Sequence, residues 1–171
     1  REAEARWERE ITRLPEMMAP YLGYRGMVGS VDDVRRHWDD WSARRPKLPD
    51  WTIPANVGVG AEALRRLGDR EAARALGAEF AGYAGRYYTN GTAWFFGPFD
   101  TSLGILAATA GDLDGAVMHL TNAVAQCDRI SSPTFVRLLR SRMDLPVAST
   151  VFSFCIPHIT WMEMLACGKS A

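Results

Sequence analysis

Apolar residues recur at helical spacing along most of the chain. Trp7, Ile11 and Leu14 stand at i, i+4 and i+7, and Pro15 ends or kinks that segment. Val31, Val34, Trp38 and Trp41 form a second stripe. Ser30 sits before it as the expected N-cap, with Asp33 three residues on. Arg44 to Pro54 holds three prolines and reads as a loop, after which a helix is predicted from about Ala55 to Leu67. Gly68 and Asp69 punctuate, and Asp69 is placed to cap a helix carrying Ala73, Leu76, Phe80, Tyr83 and Tyr87 on one face. Residues 88–98 (YTNGTAWFFGP) read as a connection rich in glycine and aromatics. They lead into a helix from Phe99 to Ala110. Gly111 and Asp112 punctuate again before the stripe Leu113, Ala116, Leu120, Val124 and Cys127. Ser131, Ser132 and Pro133 open a last helix with Phe135, Leu138 and Leu139. No strand pair flanked by hairpin turns is predicted before residue 146.

The punctuation repeats. Residues 63–85 lie over residues 106–128 at an offset of 43, so that Gly68 meets Gly111, Asp69 meets Asp112 and Ala73 meets Ala116. Gly29 precedes Val34 by the same five positions and marks a weaker third copy. Glycine ends one helix, aspartate caps the next, and a small residue lets the pair pack closely. A pair built this way cannot bury its own face, so neighbours stack. The plainer alternative is two amphipathic helices that share a common turn. The expected fold is all-α, an antiparallel helix–turn–helix repeat array with an irregular C-terminal tail.

At 171 residues the chain is long enough for one domain that buries roughly 70% of its unfolded surface. Twenty Lys and Arg balance 20 Asp and Glu, which argues against a general nucleic-acid binder. Three cysteines (Cys127, Cys155 and Cys167) make no disulfide framework and fit a reducing compartment. The start, REAEARWEREI, is charged and lacks the apolar core of a secretory leader, so a cytoplasmic location is expected. Asn90-Gly91-Thr92 matches a glycosylation acceptor, which carries little weight without a secretory route. The first residue is Arg1, which fits a piece of a longer protein. Composition changes near Pro146: residues 1–145 carry 38 of the 40 charged residues, and 146–171 carry only Glu163 and Lys169. The expected division is a helical-repeat domain over 1–145 and a low-charge tail over 146–171. Leu145 to Met162 meets the length floor for a membrane span, but two prolines, His158 and several hydroxyl residues make it a poor one. Alternation of Val151, Ser153 and Cys155 with Phe152, Phe154 and Ile156 looks more like an extended, sticky segment.

The spacing of Gly68 and Ala73, and of Ala116 and Ala123, resembles tetratricopeptide-type repeats, although an offset of 43 is longer than their usual period. A closer likeness covers about residues 31–142. Gly68-Asp69, Tyr83 to Arg86, Gly97-Pro98, Leu103 to Ala108 and Gly111-Asp112 resemble the helical-repeat C-terminal region of large bacterial signalling ATPases. These are the cyclase-linked and LuxR-type regulators common in actinobacteria. The resemblance implies that any catalysis lies in another domain and that the repeats bind partners or restrain the ATPase. The pattern departs after Arg142.

The remaining motifs weigh towards plain readings. Gly168-Lys169-Ser170 imitates a phosphate loop, but position 163 is Glu and no helix can follow. Gly58, Gly60 and Ala63 fit a loosened dinucleotide pattern, yet Pro54 interrupts the strand it requires, and close helix packing is the better account. Cys155, His158 and Cys167 lack a fourth metal ligand. His37 and His119 stand apart from any nucleophile, and Asp32, Asp33, Asp39 and Asp40 alternate with Arg35 and Arg36 as a solvated face. Arg137, Arg140 and Arg142 suit an acidic partner or phosphate, or simply a charged end of the array. No catalytic, cofactor or metal residue is therefore assigned. The densest aromatic group is Tyr83, Arg86, Tyr87, Tyr88, Asn90, Trp94, Phe95 and Phe96. Aromatics with arginine are favoured interface anchors, so these residues are the expected contact for a protein, a peptide or a neighbouring domain. Their plainer role is to fill the gap between repeats. The expected function is a non-catalytic interaction module, and the alternative is a small helical enzyme or ligand-binding protein with a pocket between helices.

Overall fold

A computed structural model of the chain describes residues 29–44, 53–90 and 94–131. Five α-helices carry most of them: α1 (Val31–Arg44), α2 (Ile53–Leu67), α3 (Arg70–Phe80), α4 (Phe99–Ala110) and α5 (Leu113–Arg129). Between α3 and α4 lie a single 3-10 turn (Ala81–Tyr83) and two short strands, β1 (Tyr87–Asn90) and β2 (Trp94–Pro98). The segment around Trp7 and everything after Ser131 lie outside the described residues. No helix among the described residues is long and apolar enough to cross a membrane.

The helix starts follow from capping chemistry. Ser30 and Asp33 form a reciprocal box, in which the Asp33 N–H donates to Ser30 Oγ at 3.2 Å and the Ser30 N–H donates to Asp33 Oδ2 at 3.2 Å. Asp69 accepts from the Ala72 N–H and Asp112 from the Gly115 N–H. The turns before these caps share one backbone. Gly68 and Gly111 are left-handed, at φ 63° and 90°. The following aspartates sit at φ −82°, ψ 90° and φ −86°, ψ 86°. The Asp69 N–H reaches Leu64 O at 3.2 Å, and the Asp112 N–H reaches Ala107 O at 2.9 Å. Both are Schellman closures, in which glycine takes the left-handed position at little steric cost.

The stripe predicted for α1 buries Val34, Trp38 and Trp41, with the two indole rings 5.0 Å apart. They meet Val57, Ala61 and Leu64 of α2, and Ala73, Leu76 and Phe80 of α3, in one core that continues through Phe99, Leu103 and Leu106 of α4. Gly58 and Gly60 lie inside α2, not in a phosphate loop. A methyl group at Gly60 would stand 3.2 Å from Leu76 and 3.3 Å from both Trp38 and Trp41. The glycines let neighbouring side chains approach the α2 backbone.

The helices pack mainly with chain neighbours: α1 on α2, α2 on α3, α4 on both α2 and α3, and α5 on α4. Gly60 receives Leu76 within the α2/α3 pair, and Gly104 receives Leu120 within the α4/α5 pair.

Two expectations are corrected. Residues 88–98 are not a plain connection: β1 and β2 pair antiparallel, Tyr87 opposite Pro98 and Asn90 opposite Trp94, with a bulge that leaves Phe96 as the extra residue. The face expected to run from Ala73 to Tyr87 on one helix breaks at Phe80; Tyr83 falls in the 3-10 turn and Tyr87 on β1.

Candidate functional site

Phe99, the first residue of α4, is where the aromatic group converges. Tyr83 and Tyr88 stand 4.9 Å and 4.5 Å from its ring, and Phe80 stands 5.7 Å from Tyr83. Tilted and edge-on contacts of this kind suit the ring quadrupoles. Tyr88 is buried, and its hydroxyl shares a 2.9 Å hydrogen bond with Ser102 Oγ. It belongs to the core and offers no surface to a partner, a correction to its place among the expected contacts. Tyr83 is half-buried, and the exposed Arg86 places its guanidinium carbon 5.4 Å above that ring. The Tyr87 hydroxyl donates to Gln126 O at 2.7 Å and ties β1 to α5. The backbone places Asn90, Trp94, Phe95 and Phe96 on the hairpin. The structure thus splits the predicted group. Tyr83 and Arg86 form an outer corner, Tyr87 a tie and Tyr88 a core ring.

Beneath the hairpin lies a polar cluster. Asp100 is 1% exposed. Its Oδ2 accepts from the Gly85 N–H and from Gln126 Nε2, each at 2.7 Å, and its Oδ1 meets His119 Nδ1 at 2.9 Å. Burial pushes the Asp100 carboxyl up, but the hydrogen bonds from His119, Gly85 and Gln126 outweigh it and hold the group below its ordinary value. An ionised partner at Nδ1 requires the ring proton there, which leaves Nε2 as the acceptor of the neutral imidazole. Gln126 Oε1 is buried with no hydrogen-bond partner among the described residues.

Sequence reading missed this cluster because its members lie 15 to 26 positions from Asp100. The available signal was Asp100 in the first turn of a helix that follows a glycine- and proline-containing junction.

Elsewhere the chemistry is plain. Cys127 is buried, and burial with the adjacent Asp128 charge pushes its thiol up to about 11, far from a nucleophile at neutral pH. Arg35 binds Asp69 Oδ2 at 2.8 Å, and this bond, with the Ala72 N–H, holds the Asp69 carboxyl below its ordinary value. Arg36 pairs with Asp33 and Arg44 with Asp40, as a solvated helix face does. Cys155, His158, Cys167, the Gly168-Lys169-Ser170 motif, and Arg137, Arg140 and Arg142 lie outside the described residues.

Comparison with known proteins finds no matching family model and no similar curated protein or solved structure.

Proposed function

We propose that this chain is a non-catalytic interaction module, a tetratricopeptide-like α-solenoid segment of a larger cytoplasmic signalling ATPase or transcriptional regulator. The observation that carries the reading is one Gly-Asp helix junction used twice, with a buried residue five positions after the glycine, a spacing that the Ser30 start also keeps. Val34, Ala73 and Ala116 are all buried, and their N–H groups reach Ser30 O, Asp69 O and Asp112 O at 3.1, 3.0 and 3.0 Å. Packing between neighbouring helices supports it, because stacked pairs bury faces that no single pair can cover. The partner is a protein, a peptide or a neighbouring domain. It meets the corner of Tyr83 and Arg86 and the hairpin that carries Asn90, Trp94, Phe95 and Phe96. No cofactor, metal, nucleic acid or membrane is part of this reading.

The test captures partners on the immobilised chain and repeats the capture with Arg86→Glu combined with Trp94→Ala. Capture falling about ten-fold with helicity retained supports the surface. Unchanged capture removes the hairpin corner from the site, and failure to find any saturable protein partner removes the reading.

The Asp100–His119 pair favours a second reading, a small all-helical enzyme or ligand-binding protein with a pocket between helices. A carboxylate that orients an imidazole suits proton transfer at Nε2. His119→Asn keeps a donor near Asp100. Lost small-molecule turnover at unchanged melting temperature would support this reading, and no turnover by the wild type would sink it.

A further inference from the structure

The outer face of α5 carries large apolar residues in water: Leu113 is 56% exposed, Val117 59% and Met118 53%. The first helix pair shows what occupies the corresponding face. The offset of 43 carries Arg70 onto Leu113 and Arg74 onto Val117. In that pair the next helix, α4, ends against these two arginines. Arg74 Nη2 donates to Ala110 O at 3.4 Å, and the Arg70 guanidinium lies against Gly111, where an added methyl group would stand 3.0 Å from Nη2. The equivalent positions in the second pair are apolar and unfilled among the described residues.

We propose that Leu113, Val117 and Met118 are the docking face for the next helix of this same chain, the segment from Pro133 to Leu145. The inference rests on the repeat reading and extends it by one element. Three features of the chain fit this occupant. Ser131, at φ 51°, turns the backbone sharply just past the end of α5. Ser132 and Pro133 are residue types favoured at an N-cap and in a first turn, and the sequence repeats Phe135, Leu139 and Met143 every four positions. At about 1.5 Å per residue, a helix over 133–145 spans about 18 Å. Running back along α5, it brings Met143 and Leu145 level with Val117. Where the first pair holds its neighbour by arginine on a helix C-terminus, the second holds it by apolar contact.

The test is amide hydrogen exchange on the full chain, wild type and Leu113→Asp/Val117→Asp. Both substitutions lie on exposed positions, so α1 to α4 serve as the folding control. Exchange over 135–143 slowed about ten-fold or more, with that protection abolished in the double variant while α1 to α4 stay protected, supports the proposal. No protection over 135–143, or protection that the double variant leaves unchanged, overturns it. Protection of 113–118 that appears only as concentration rises, with a matching rise in sedimenting mass, assigns the face to a second copy and also overturns it. Failure here with partner capture through Arg86 intact sinks this proposal alone. Failure of both sinks the module reading.

Discussion

The two helix pairs share a turn and differ in what the turn holds together. Gly68-Asp69 and Gly111-Asp112 have nearly the same backbone and the same capping bonds. Around the first pair the neighbours are Trp38, Trp41, Leu64, Leu76 and Phe80, an apolar interior closed by α1. Around the second they include Asp100, His119 and Gln126, a hydrogen-bonded interior closed by the hairpin. The turn is a local device, set by glycine and aspartate alone. The interior is a tertiary matter, so one copy of the motif rests on the apolar core alone while the other adds a buried polar cluster to it.

The sharpest way to break the comparison is to attack each interior by its own means. Trp41→Ala empties a fully buried indole site and is expected to cost about 4 kcal/mol in urea unfolding. Asp100→Ala strands the Gly85 N–H and Gln126 Nε2 and leaves His119 without its acceptor, at about 3 kcal/mol. Both pairs respond to acid, the first through its surface cap Asp69 and the second through the buried Asp100. The folded Asp100 pKa lies below its unfolded value, so its contribution is complete above about pH 4 and drains away as pH falls through the folded value. Unfolding followed from pH 6 to pH 2 should show a shallower loss for Asp100→Asn than for the wild type. Parallel curves would remove Asp100 as an acid-sensitive group.

Smaller substitutions sharpen the contrast. Gly58→Ala puts a methyl group 2.7 Å from the Tyr88 hydroxyl and disturbs its bond to Ser102, an overpacking cost of about 2 kcal/mol seen as a lowered thermal midpoint. Gly68→Ala and Gly111→Ala force alanine into a left-handed turn at about 1 kcal/mol each. Gly111→Ala should be the worse, since Arg70 crowds it while Gly68 faces open space. Equal losses would mean that Arg70 yields freely. Smallest is the difference between the caps: Asp69→Ala and Asp112→Ala should each cost about 1 kcal/mol, with Asp69 a few tenths more because it also binds Arg35. Chemical denaturation of the pair reads this directly.

What was legible in the chain follows the same line. Ser30, Asp69 and Asp112 were readable as caps because a cap depends on residues within four positions of itself. The buried stripe of α1 was readable apart from Val31, which is exposed. On α5 the period held at Ala116, Leu120, Val124 and Cys127, all buried or partly buried, and failed at its first member. Leu113 belongs to the predicted stripe yet lies in water, while Gln126 turns inward. A helix with apolar residues on several sides does not say which side is covered. The hairpin had a signal that went unused, Asn90-Gly91 between two aromatic runs, because glycine and aromatics together look like a linker. The Asp100 cluster had almost none, since a carboxylate finds its donors through space. The candidate contact group was legible as a concentration of rings, but its division into core, tie and outer corner depended on the course of the backbone after Phe80.

The bond from the Tyr87 hydroxyl to Gln126 O joins residues 39 apart. Helices that touch their sequence neighbours form quickly, since little chain must be ordered before contact rewards it. This bond must wait until the hairpin, α4 and α5 have each taken their place. It acts as a clasp on the assembly, and a Tyr87→Phe chain, which lacks the hydroxyl, should unfold faster while folding at nearly the same rate.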